Sequence, residues 1–410
     1  MPRRVVVTGM GGLTALGHDW PSIAARLRAR QSGVRRMTEW QDIQSMNTCL
    51  AAPVQDYTLP PHYDRKRTRS MGPVARMSTR ATEIALEDAG LLGDPVLGSG
   101  NTGVAYGACA GSAEAVVAFG RLGTTRSLRG ITSNTYVQMM SHTGAVNISL
   151  FFGINGRIIP SSSACTSGSQ AIGFAYETIQ SGKQSVMITG GGEELSIGTT
   201  AVFDTLFATS TRNDAPETTP RPFDRDRDGL VVGEGAATLI LEDLEHARRR
   251  GATIYAEVVG FGTNSDGAHI TQPQVETMAA VMRQALADAA LEPAAIGYVN
   301  AHGTATDRGD VAESVATGEV IGRHTPISSL KSYFGHSLGA CGSLEAWLSI
   351  EMMRANWFAP TINLDNLDPA CAELDYLTGD GRQLDIEYFM SNNFAFGGIN
   401  TSLIFRRWHT

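Results

Sequence analysis

The chain has 410 residues, of which 42% are hydrophobic and 18% are charged, and its formal net charge is −8. This length can bury two domain cores or one large fused core, and the negative charge balance argues against general nucleic-acid binding. The five cysteines form no CxxC pair and no apolar stretch reaches about 18 residues, so we expect a cytoplasmic protein without a disulfide framework, a structural zinc site or a membrane span.

Strands and short helices alternate from the start of the chain. Val5–Val7 predicts a first strand, and Gly9–Gly12 predicts a turn after it, since the glycine spacing does not match the GxGxxG of a dinucleotide-binding loop. Apolar periodicity predicts further elements before the middle of the chain: helices at Trp20–Arg28 and Val74–Ala89, a strand at Thr102–Tyr106 and a buried helix at Tyr136–Phe152.

Two groups of basic side chains interrupt these elements. Lys66 and Arg69 lie in a dense basic run, and Arg126 and Arg129 form a second pair. Runs of like charge are most often solvated surfaces, so by themselves they indicate no partner. In a chain of net charge −8, a functional basic surface would have to be local and directed at an acidic partner.

The most abrupt change of structure surrounds one cysteine. Gly156–Pro160 predicts a short buried strand, and the apolar spacing from Ala171 to Ile179 predicts a helix that stops at Ser181. Cys165 would lie on the elbow between them, facing the unpaired N–H groups of the helix. We expect this position to lower the pKa of its thiol and to make it a nucleophile. The alternative is a small buried core residue, as free cysteines often are.

The same alternation continues through the second half of the chain. The pattern predicts strands at Ser185–Thr189, Ala236–Leu241, Ile254–Gly260 and Ile296–Asn300, and helices at Glu245–Arg250, Met278–Ala290 and Val311–Ile321. No linker separates the parts, so we predict an α/β fold of two related halves, residues 1–250 and 251–410, that share one core.

Two histidines lie in loops that follow predicted strands, where α/β folds usually place their catalytic and ligand-binding residues. His302 lies in the run Asn300–Thr306, and His336 lies in the run Lys331–Ala340. Each is flanked by glycine and hydroxyl residues, which favours a Cys-His-His site together with Cys165. Metal binding is the weaker interpretation, because neither histidine has a second ligand at i+4 or a CxxC companion.

With these motifs the chain resembles the β-ketoacyl-acyl-carrier-protein synthases, condensing enzymes of the thiolase superfamily. Its Ser-Ala-Cys-Thr-Ser-Gly elbow, His-Gly-Thr-x-Thr loop and Lys-x-x-x-Gly-His loop occur in the family's order, and the likeness extends to the run Ser391–Asn400. The resemblance implies a five-layered αβαβα fold and a homodimer, or a heterodimer with a chain-length-factor subunit. It also implies an acyl carrier protein as partner, whose phosphopantetheine arm serves in place of a bound cofactor or metal.

The resemblance also implies a role for each matching residue. Cys165 would take an acyl group from one carrier protein, and His302 and His336 would donate hydrogen bonds to the malonyl thioester on another while it loses CO2. Lys331 would pair with three acidic partners, Asp310, Glu313 and Glu345, and these buried charges would fix the histidine loops. The remaining roles are the oxyanion-binding backbone N–H groups of Cys165 and Phe396, the substrate-binding residues Thr304, Thr306, Thr135, Leu230 and Phe394, and the carrier-docking residues Lys66, Arg69, Arg126 and Arg129.

Departures from the family pattern bear on substrate choice. Ala395 replaces a glycine between the two aromatic residues of the C-terminal loop, which predicts stiffer gating. Leu230 near the tunnel entrance and Thr135 at its far end, across the dimer interface, each replace a bulkier side chain. We therefore expect a long, rigid or unsaturated substrate such as a polyene intermediate, unless Tyr136 refills the space beside Thr135.

Three other interpretations remain open at the level of sequence. A non-catalytic chain-length-factor subunit would lack the nucleophile that Cys165 provides. A thiolase acting on coenzyme A esters would carry a second cysteine where this chain has His336. A specialised polyene or polyketide synthase and a fatty acid synthase of the same chemistry are not distinguished.

Overall fold

The fold is built on an eleven-stranded sheet, in a computed structural model that describes residues 2–409. The strands are β1 (Val5–Leu13), β2 (Arg35–Arg36), β3 (Leu50–Ala52), β4 (Thr102–Gly107), β5 (Ile158–Ser161), β6 (Val186–Glu193), β7 (Val232–Gly233), β8 (Gly235–Asp243), β9 (Ala256–Ser265), β10 (Ile296–Asn300), β11 (Pro326–Ser328), β12 (Trp357–Phe358), β13 (Asp375–Tyr376), β14 (Arg382–Gln383), β15 (Tyr388–Phe394) and β16 (Ile399–Arg407). Two small sheets, β12-β14 and β2-β3-β7, lie beside the large one.

The helices alternate with these strands along the chain. They are α1 (Trp20–Arg28), α2 (Arg65–Thr68), α3 (Pro73–Asp88), α4 (Ala113–Thr125), α5 (Ser133–Met139), α6 (Thr143–Phe152), α7 (Ser167–Gln180), α8 (Ile197–Thr205), α9 (Leu244–Arg249), α10 (Val275–Ala289), α11 (Asp307–Val320), α12 (Lys331–Phe334) and α13 (Cys341–Arg354). Within residues 2–409, no helix has the length and apolar character needed to cross a membrane.

The large sheet contains the same five-strand topology twice, and β13 is added at one edge beside β11. One run of neighbours is β1-β8-β6-β4-β5, and the other is β9-β16-β15-β10-β11. In both runs the first two pairings are antiparallel and the last two are parallel. A short antiparallel pairing of β1 with β9 joins them. Since the repeat restarts at β9, we propose residues 1–250 and 251–410 as the two halves.

Helices cover and separate these two runs of strands. α7 and α13 pack on each other and contact strands of both runs, so they form a middle layer. α3 and α6 pack on the outside of the first run, and α10 packs on the outside of the second with α11 beside it. The order helix, sheet, helix, sheet, helix confirms the predicted five-layered αβαβα fold.

The predicted turn at Gly9–Gly12 is wrong, because β1 continues through these residues to Leu13. A Cβ at Gly9 would lie 2.4 Å from the carbonyl oxygen of Ala85 on α3, and one at Gly12 would lie 2.5 Å from the Trp347 ring on α13. Glycine is therefore required here because helices approach the strand closely on both faces, and not for a turn or a phosphate.

The predicted helix at Tyr136–Phe152 is two helices, α5 and α6, with a break at Met140–His142. The N–H groups of Gly111 and Ser112 donate to the carbonyl oxygens of Met139 and Gln138, at 3.1 and 2.7 Å. These carbonyl oxygens therefore accept hydrogen bonds from the loop after β4 and not from a continuing helix. Local apolar periodicity does not predict this long-range contact.

The strand before the nucleophile is also less buried than predicted. β5 stands at the end of the sheet order, and its first residue, Ile158, is 39% exposed. An edge strand presents unpaired backbone groups to solvent or to a partner.

Candidate active site

The elbow between β5 and α7 is held by its own hydroxyl groups. Ala164 adopts a left-handed conformation with φ of 50°, so the chain reverses sharply before Cys165. The Ser167 hydroxyl donates to the Ala164 carbonyl oxygen at 2.7 Å and accepts from the Ser163 N–H at 2.9 Å. These short polar side chains fix the strained turn that aims the cysteine.

Cys165 meets both predicted histidines. Its sulfur lies 3.0 Å from Nε2 of His336, and the sulfur and one nitrogen of each imidazole all lie within 4.8 Å of one another. The two imidazole rings are perpendicular, with centroids 5.1 Å apart. All three side chains are buried, and all three follow carboxyl ends of parallel strands, where an α/β sheet places its ligands.

The neighbours of each imidazole define which nitrogen carries its proton. The Leu338 N–H donates to Nδ1 of His336 at 3.3 Å, so Nε2 of His336 bears the proton and donates toward the Cys165 sulfur. The side-chain amide of Asn393 donates to Nδ1 of His302 at 3.4 Å, which assigns the proton of His302 to Nε2 as well. Burial, and then the charge of Lys331, lower the pKa of both histidines far below the ordinary value. Both are neutral N–H donors.

The predicted lowering of the Cys165 pKa is wrong. Burial raises the pKa of this thiol to about 11, although the backbone N–H groups of Phe396 and Cys165 and the charge of Lys331 oppose the increase. The desolvation penalty of a fully buried thiolate therefore exceeds the stabilisation by the helix end. The resting nucleophile is a thiol that must lose its proton as it attacks.

Lys331 and Glu345 form a buried ion pair behind the triad. Burial alone would lower the pKa of Lys331, but the Glu345 carboxylate raises it above its ordinary value, so the lysine stays charged. The other oxygen of Glu345 accepts from the Asn393 amide at 2.7 Å, and that amide also contacts His302. The ion pair therefore positions His302 through Asn393. Both charges are needed, because removal of either would leave the other buried and unpaired.

Asp310 and Glu313 hold the backbone of the His302 loop, whereas the sequence suggested that they pair with the lysine. Glu313 accepts the N–H groups of His302 and Gly303, both at 2.7 Å. Asp310 accepts those of Thr304 and Ala305 at 3.0 and 3.1 Å. Burial raises the pKa of Glu313 to about 8 and that of Asp310 to about 6. Both carboxylates hold backbone N–H groups and neither is hydrogen-bonded to the Cys165 thiol or to an imidazole of the triad, so both are positioning residues.

A cavity of about 590 Å³ connects the triad to the surface. The predicted substrate-binding residues line it, with the exception of Thr135: they are Thr304, Thr306, Leu230, Phe394 and, beside them, Phe396. Leu230 is 4% exposed and packs in the same apolar cluster as Cys165, so it lies beside the nucleophile rather than at the entrance. Thr135 is buried in α5, where it shares a capping box with Thr132.

The four predicted docking residues lie on the surface. Lys66 is in α2 and Arg69 follows it, whereas Arg126 directly follows α4 and Arg129 lies in the next loop. All four are exposed, and none forms an ion pair with any residue between 2 and 409. The amide of Gln138 on α5 donates to the Arg69 carbonyl oxygen, and α5 packs on α4, so both pairs border the same helices.

Two buried residues at the site were missed by the sequence interpretation. Asn393 links Glu345 to His302, and its only signal was an amide at an inward position of an apolar strand. Glu193 closes β6 and accepts the N–H groups of Cys109 at 2.8 Å and Gly339 at 3.2 Å. Burial raises the pKa of Glu193 to about 7. An acid that ends a glycine-rich buried strand was a signal of such a backbone clamp.

Comparison with known proteins agrees with this geometry. The family described as "Beta-ketoacyl synthase, N-terminal domain" matches residues 2–247, and "Beta-ketoacyl synthase, C-terminal domain" matches residues 255–365. The chain belongs to the β-ketoacyl synthase family. It is therefore an acyltransferase of the condensing class, as the motifs predicted.

Individual β-ketoacyl synthases resemble the chain over its whole length. It is 38% identical to 3-oxoacyl-[acyl-carrier-protein] synthase 1 of Haemophilus influenzae, over 99% of this chain and 100% of that protein. A solved β-ketoacyl synthase from Burkholderia phymatum is 62% identical, with a TM-score of 0.98 over 99% of this chain and 100% of that one. A type II polyketide ketosynthase solved with its acyl carrier protein is 28% identical, with a TM-score of 0.88 and full coverage of both chains.

Proposed function

We propose that the chain catalyses a decarboxylative condensation between an acyl group on Cys165 and a malonyl group on an acyl carrier protein, and releases 3-oxoacyl carrier protein and CO2. The observation that carries this proposal is the buried Cys165 sulfur 3.0 Å from a neutral His336, with His302 beside it, at the inner end of a cavity open to the surface. A non-catalytic partner subunit would not need this thiol, and a thiolase would carry a cysteine in place of His336.

In the first half-reaction the Cys165 sulfur attacks the carbonyl carbon of an acyl thioester. A carbon–sulfur bond to the enzyme forms, the bond to the carrier's sulfur breaks, and the proton of the Cys165 thiol is transferred to the departing carrier thiol. The backbone N–H groups of Cys165 and Phe396 face the sulfur and are placed to stabilise the oxyanion of the tetrahedral intermediate.

In the second half-reaction the malonyl thioester loses CO2 and becomes an enolate. The Nε2–H groups of His302 and His336 stabilise the negative oxygen of that enolate, since both imidazoles are neutral donors. The enolate carbon attacks the acyl carbonyl on Cys165, a carbon–carbon bond forms, and the cysteine leaves and regains one proton from solvent. Thr304 and Thr306, whose hydroxyls are 2.9 Å apart on the cavity wall, would bind the phosphopantetheine arm.

The direct test is to incubate the protein with acyl carrier proteins that bear different acyl chains and to identify the acyl group on Cys165 by mass spectrometry. Malonyl carrier protein added afterwards should yield CO2 and a 3-oxoacyl product in equal amounts. An acyl group found on another residue, or no CO2 release, would contradict the proposal. The acyl chains that are retained also separate a fatty acid role from a polyene or polyketide role.

Five free cysteines suit the reducing cytoplasm that we propose as the location of this protein.

We propose that the carrier protein is steered by Lys66, Arg69, Arg126 and Arg129, since these exposed charges are unpaired within residues 2–409 and carrier proteins of this class are acidic. Reversing two of them, Lys66→Glu with Arg69→Glu, should raise the KM for carrier-bound substrate about fivefold and weaken its dependence on salt. Steady-state kinetics at two ionic strengths measures both quantities.

A matched control makes the same change of charge elsewhere. Lys183 and Arg323 are exposed and follow the C-terminal ends of α7 and α11, whose N-terminal ends lie at the active site. Lys183→Glu with Arg323→Glu should leave the KM unchanged. If the docking variant slowed small pantetheine thioesters to the same degree, the steering assignment would fail.

We propose a homodimer that pairs through the region of β5. α6 packs on this edge strand, α5 packs on α6, and α4 packs on α5. These three helices carry exposed apolar side chains, which often mark an interface with another protein: Val116, Val117, Tyr136 and Leu150. Light scattering should give twice the chain mass, whereas a monomer that pairs only with a second, different subunit would indicate the heterodimer.

The dimer bears on the length of the acyl tunnel, because Thr135 on α5 is assigned to the partner's tunnel end. Thr135→Phe should shorten the longest accepted acyl primer and leave short primers unaffected, at about 0.8 kcal/mol for each carbon that no longer fits. Turnover across a series of chain lengths measures this. Thr135→Ala is the matched control, since it also removes the capping hydroxyl but adds no bulk. An unchanged profile in Thr135→Phe would refute the assignment.

A further inference from the structure

Arg227 is a buried arginine in the wall of the active-site cavity. It lies in the segment between α8 and β7, and only 3% of its side chain is exposed. Its Nε–H donates to the carbonyl oxygen of Thr306 at 3.1 Å, and its Nη2–H donates to that of Asp307 at 2.6 Å. These two residues end the loop that bears His302 and begin α11. One guanidinium therefore ties the segment 221–228 to that loop.

Charged partners hold this guanidinium in place. Its Nη1–H donates to the Asp368 carboxylate at 2.5 Å and to the Asp224 carbonyl oxygen at 2.9 Å, and its Nε lies 3.9 Å from the carboxylate of Asp310. Burial alone would lower the pKa of Arg227, but Asp310 and Asp368 raise it above the ordinary value. The arginine therefore stays charged, and its planar fork has an acceptor at each of its three nitrogens.

The loop that Arg227 holds is strained between two threonines. Ala305 has a φ of 64°, a left-handed conformation that a residue with a side chain rarely adopts and that persists only where surrounding contacts fix it. The hydroxyls of Thr304 and Thr306 on either side lie 2.9 Å apart on the cavity wall. The Thr306 hydroxyl rests so close to α11 that a Cβ at Gly309 would lie 2.4 Å from it. The placement of both hydroxyls therefore depends on the contacts that hold this backbone.

The two ends of the loop are held by different groups. Near its start, the Glu313 carboxylate accepts the N–H of His302 at 2.7 Å, and the Asn393 amide contacts the imidazole. At its end, Arg227 donates to the Thr306 carbonyl oxygen. Loss of the Arg227 hydrogen bonds should therefore disturb the two threonines and leave the catalytic imidazole in place.

We propose that Arg227 is a positioning residue for the pantetheine arm, because its guanidinium fixes the backbone on which Thr304 and Thr306 present their hydroxyls to the cavity. This inference rests on the proposed function, in which those hydroxyls bind the arm. Arg227 acts through the two threonines and takes no part in the reaction at Cys165. Its removal should therefore weaken the binding of every substrate that carries the arm and leave the chemical step unchanged, which raises KM without lowering kcat.

The test compares Arg227→Lys with Arg221→Lys. A lysine retains the positive charge beside Asp310, but its single nitrogen cannot serve all the acceptors of the fork. Arg221 is the matched control, because it belongs to the same segment, has a side chain only 9% exposed and pairs with two carboxylates of its own. Within residues 2–409 it makes no hydrogen bond to the loop 300–306. Both variants are loaded with the same acyl group and assayed for kcat and KM with malonyl pantetheine and with malonyl carrier protein. The rate at which iodoacetamide, which has no arm, labels Cys165 is measured on the unloaded enzymes.

We expect Arg227→Lys to raise KM about tenfold for both malonyl substrates, to change kcat by less than about twofold and to leave the labelling of Cys165 unchanged. Arg221→Lys should leave KM unchanged. A fall in kcat at constant KM, or slower labelling, would overturn the proposal, because Arg227 would then act on the triad. An equal rise of KM in Arg221→Lys would overturn it as well, since any disturbance of the segment would then suffice.

A combined variant tests whether Arg227 acts through the threonines. In a chain that carries Thr304→Val and Thr306→Val, adding Arg227→Lys should raise KM by less than about twofold, because the groups that it positions are already gone. A full tenfold rise in that chain would refute the proposal.

A milder variant covers the case in which Arg227→Lys does not fold. Asp368→Asn keeps the shape of the side chain but removes one charge that holds the guanidinium, and it should raise KM for both substrates about threefold. Unchanged KM values would refute the proposal. If the unaltered enzyme condensed neither substrate, the proposed function itself would fail, whereas an active enzyme whose KM is indifferent to Arg227→Lys refutes only the role of Arg227.

Discussion

Replacing Cys165 with alanine should abolish acyl-enzyme formation and reduce condensation by a thousandfold or more, while the protein stays folded. The reason is that the covalent intermediate has no other attachment point, and loss of a nucleophile removes the whole double-displacement path. Mass spectrometry after incubation with acyl carrier protein should show the acyl group on the unaltered chain only. Cys371→Ala, which removes a buried thiol in the second half of the chain, is the control and should remain active.

Labelling with a small electrophile tests both the site and the state of this thiol. A cerulenin-type reagent should modify Cys165 alone among the five cysteines, and modification mainly at Cys109 or Cys341 would contradict the assignment. Because the pKa of Cys165 is raised to about 11, its thiolate fraction grows about tenfold for each pH unit below that value. The labelling rate of the free enzyme should therefore keep rising from pH 7 to pH 10. A plateau near pH 7 would show that the helix N-terminus lowers the pKa of Cys165 more than burial raises it.

The position of Cys165 could be predicted from the sequence, but the pKa of its thiol could not. The elbow, the two histidine loops and their placement at strand ends follow from local pattern and from motif spacing, so the triad and the fold were predicted. The pKa depends on how completely neighbouring segments exclude water from the sulfur. That exclusion comes from residues far along the chain that pack around Cys165, such as Leu230, Leu338 and Cys341, and no local pattern reports it.

The same distinction explains the errors in the fold. Gly9–Gly12 resembles a turn by composition, yet α3 and α13 pack so closely on the strand that a Cβ at any of its three glycines would lie less than 3.0 Å from a neighbouring atom. The helix break at Met140 depends on hydrogen bonds from Gly111 and Ser112, about 30 positions earlier in the chain. Tertiary contacts overrode local preference in both places.

The acidic residues of the site show a subtler limit. Resemblance identified Asp310, Glu313 and Glu345 as a group around Lys331, and all three are buried near the histidines. Only Glu345 pairs with the lysine, whereas the other two hold backbone N–H groups of the His302 loop. Residue type and spacing therefore predicted which residues gather at the site, but not which atom each one holds.

His302 and His336 are expected to be needed for their N–H groups rather than as bases. Either change to alanine should lower the rate of condensation by about 100- to 1,000-fold, the usual effect of losing one oxyanion donor. His336→Ala should also slow acylation of Cys165, since its Nε2 contacts the sulfur, whereas His302→Ala should affect acylation less. Single-turnover acylation and CO2 release from malonyl carrier protein measure the two half-reactions separately, with His324→Ala, at an exposed histidine, as the control.

Asparagine variants then separate a donor from a base. An asparagine amide can donate an N–H bond as a neutral imidazole does, but it cannot accept a proton at neutral pH. Because burial and Lys331 keep the pKa of both histidines far below the ordinary value, we expect His302→Asn to recover at least tenfold of the activity lost in His302→Ala, with no new acid limb in its pH profile. Recovery of this size would assign His302 as a donor during decarboxylation. If His302→Asn were as inactive as His302→Ala while still folded and acylated, His302 would have to act as a base on water or substrate, and the donor role would be refuted.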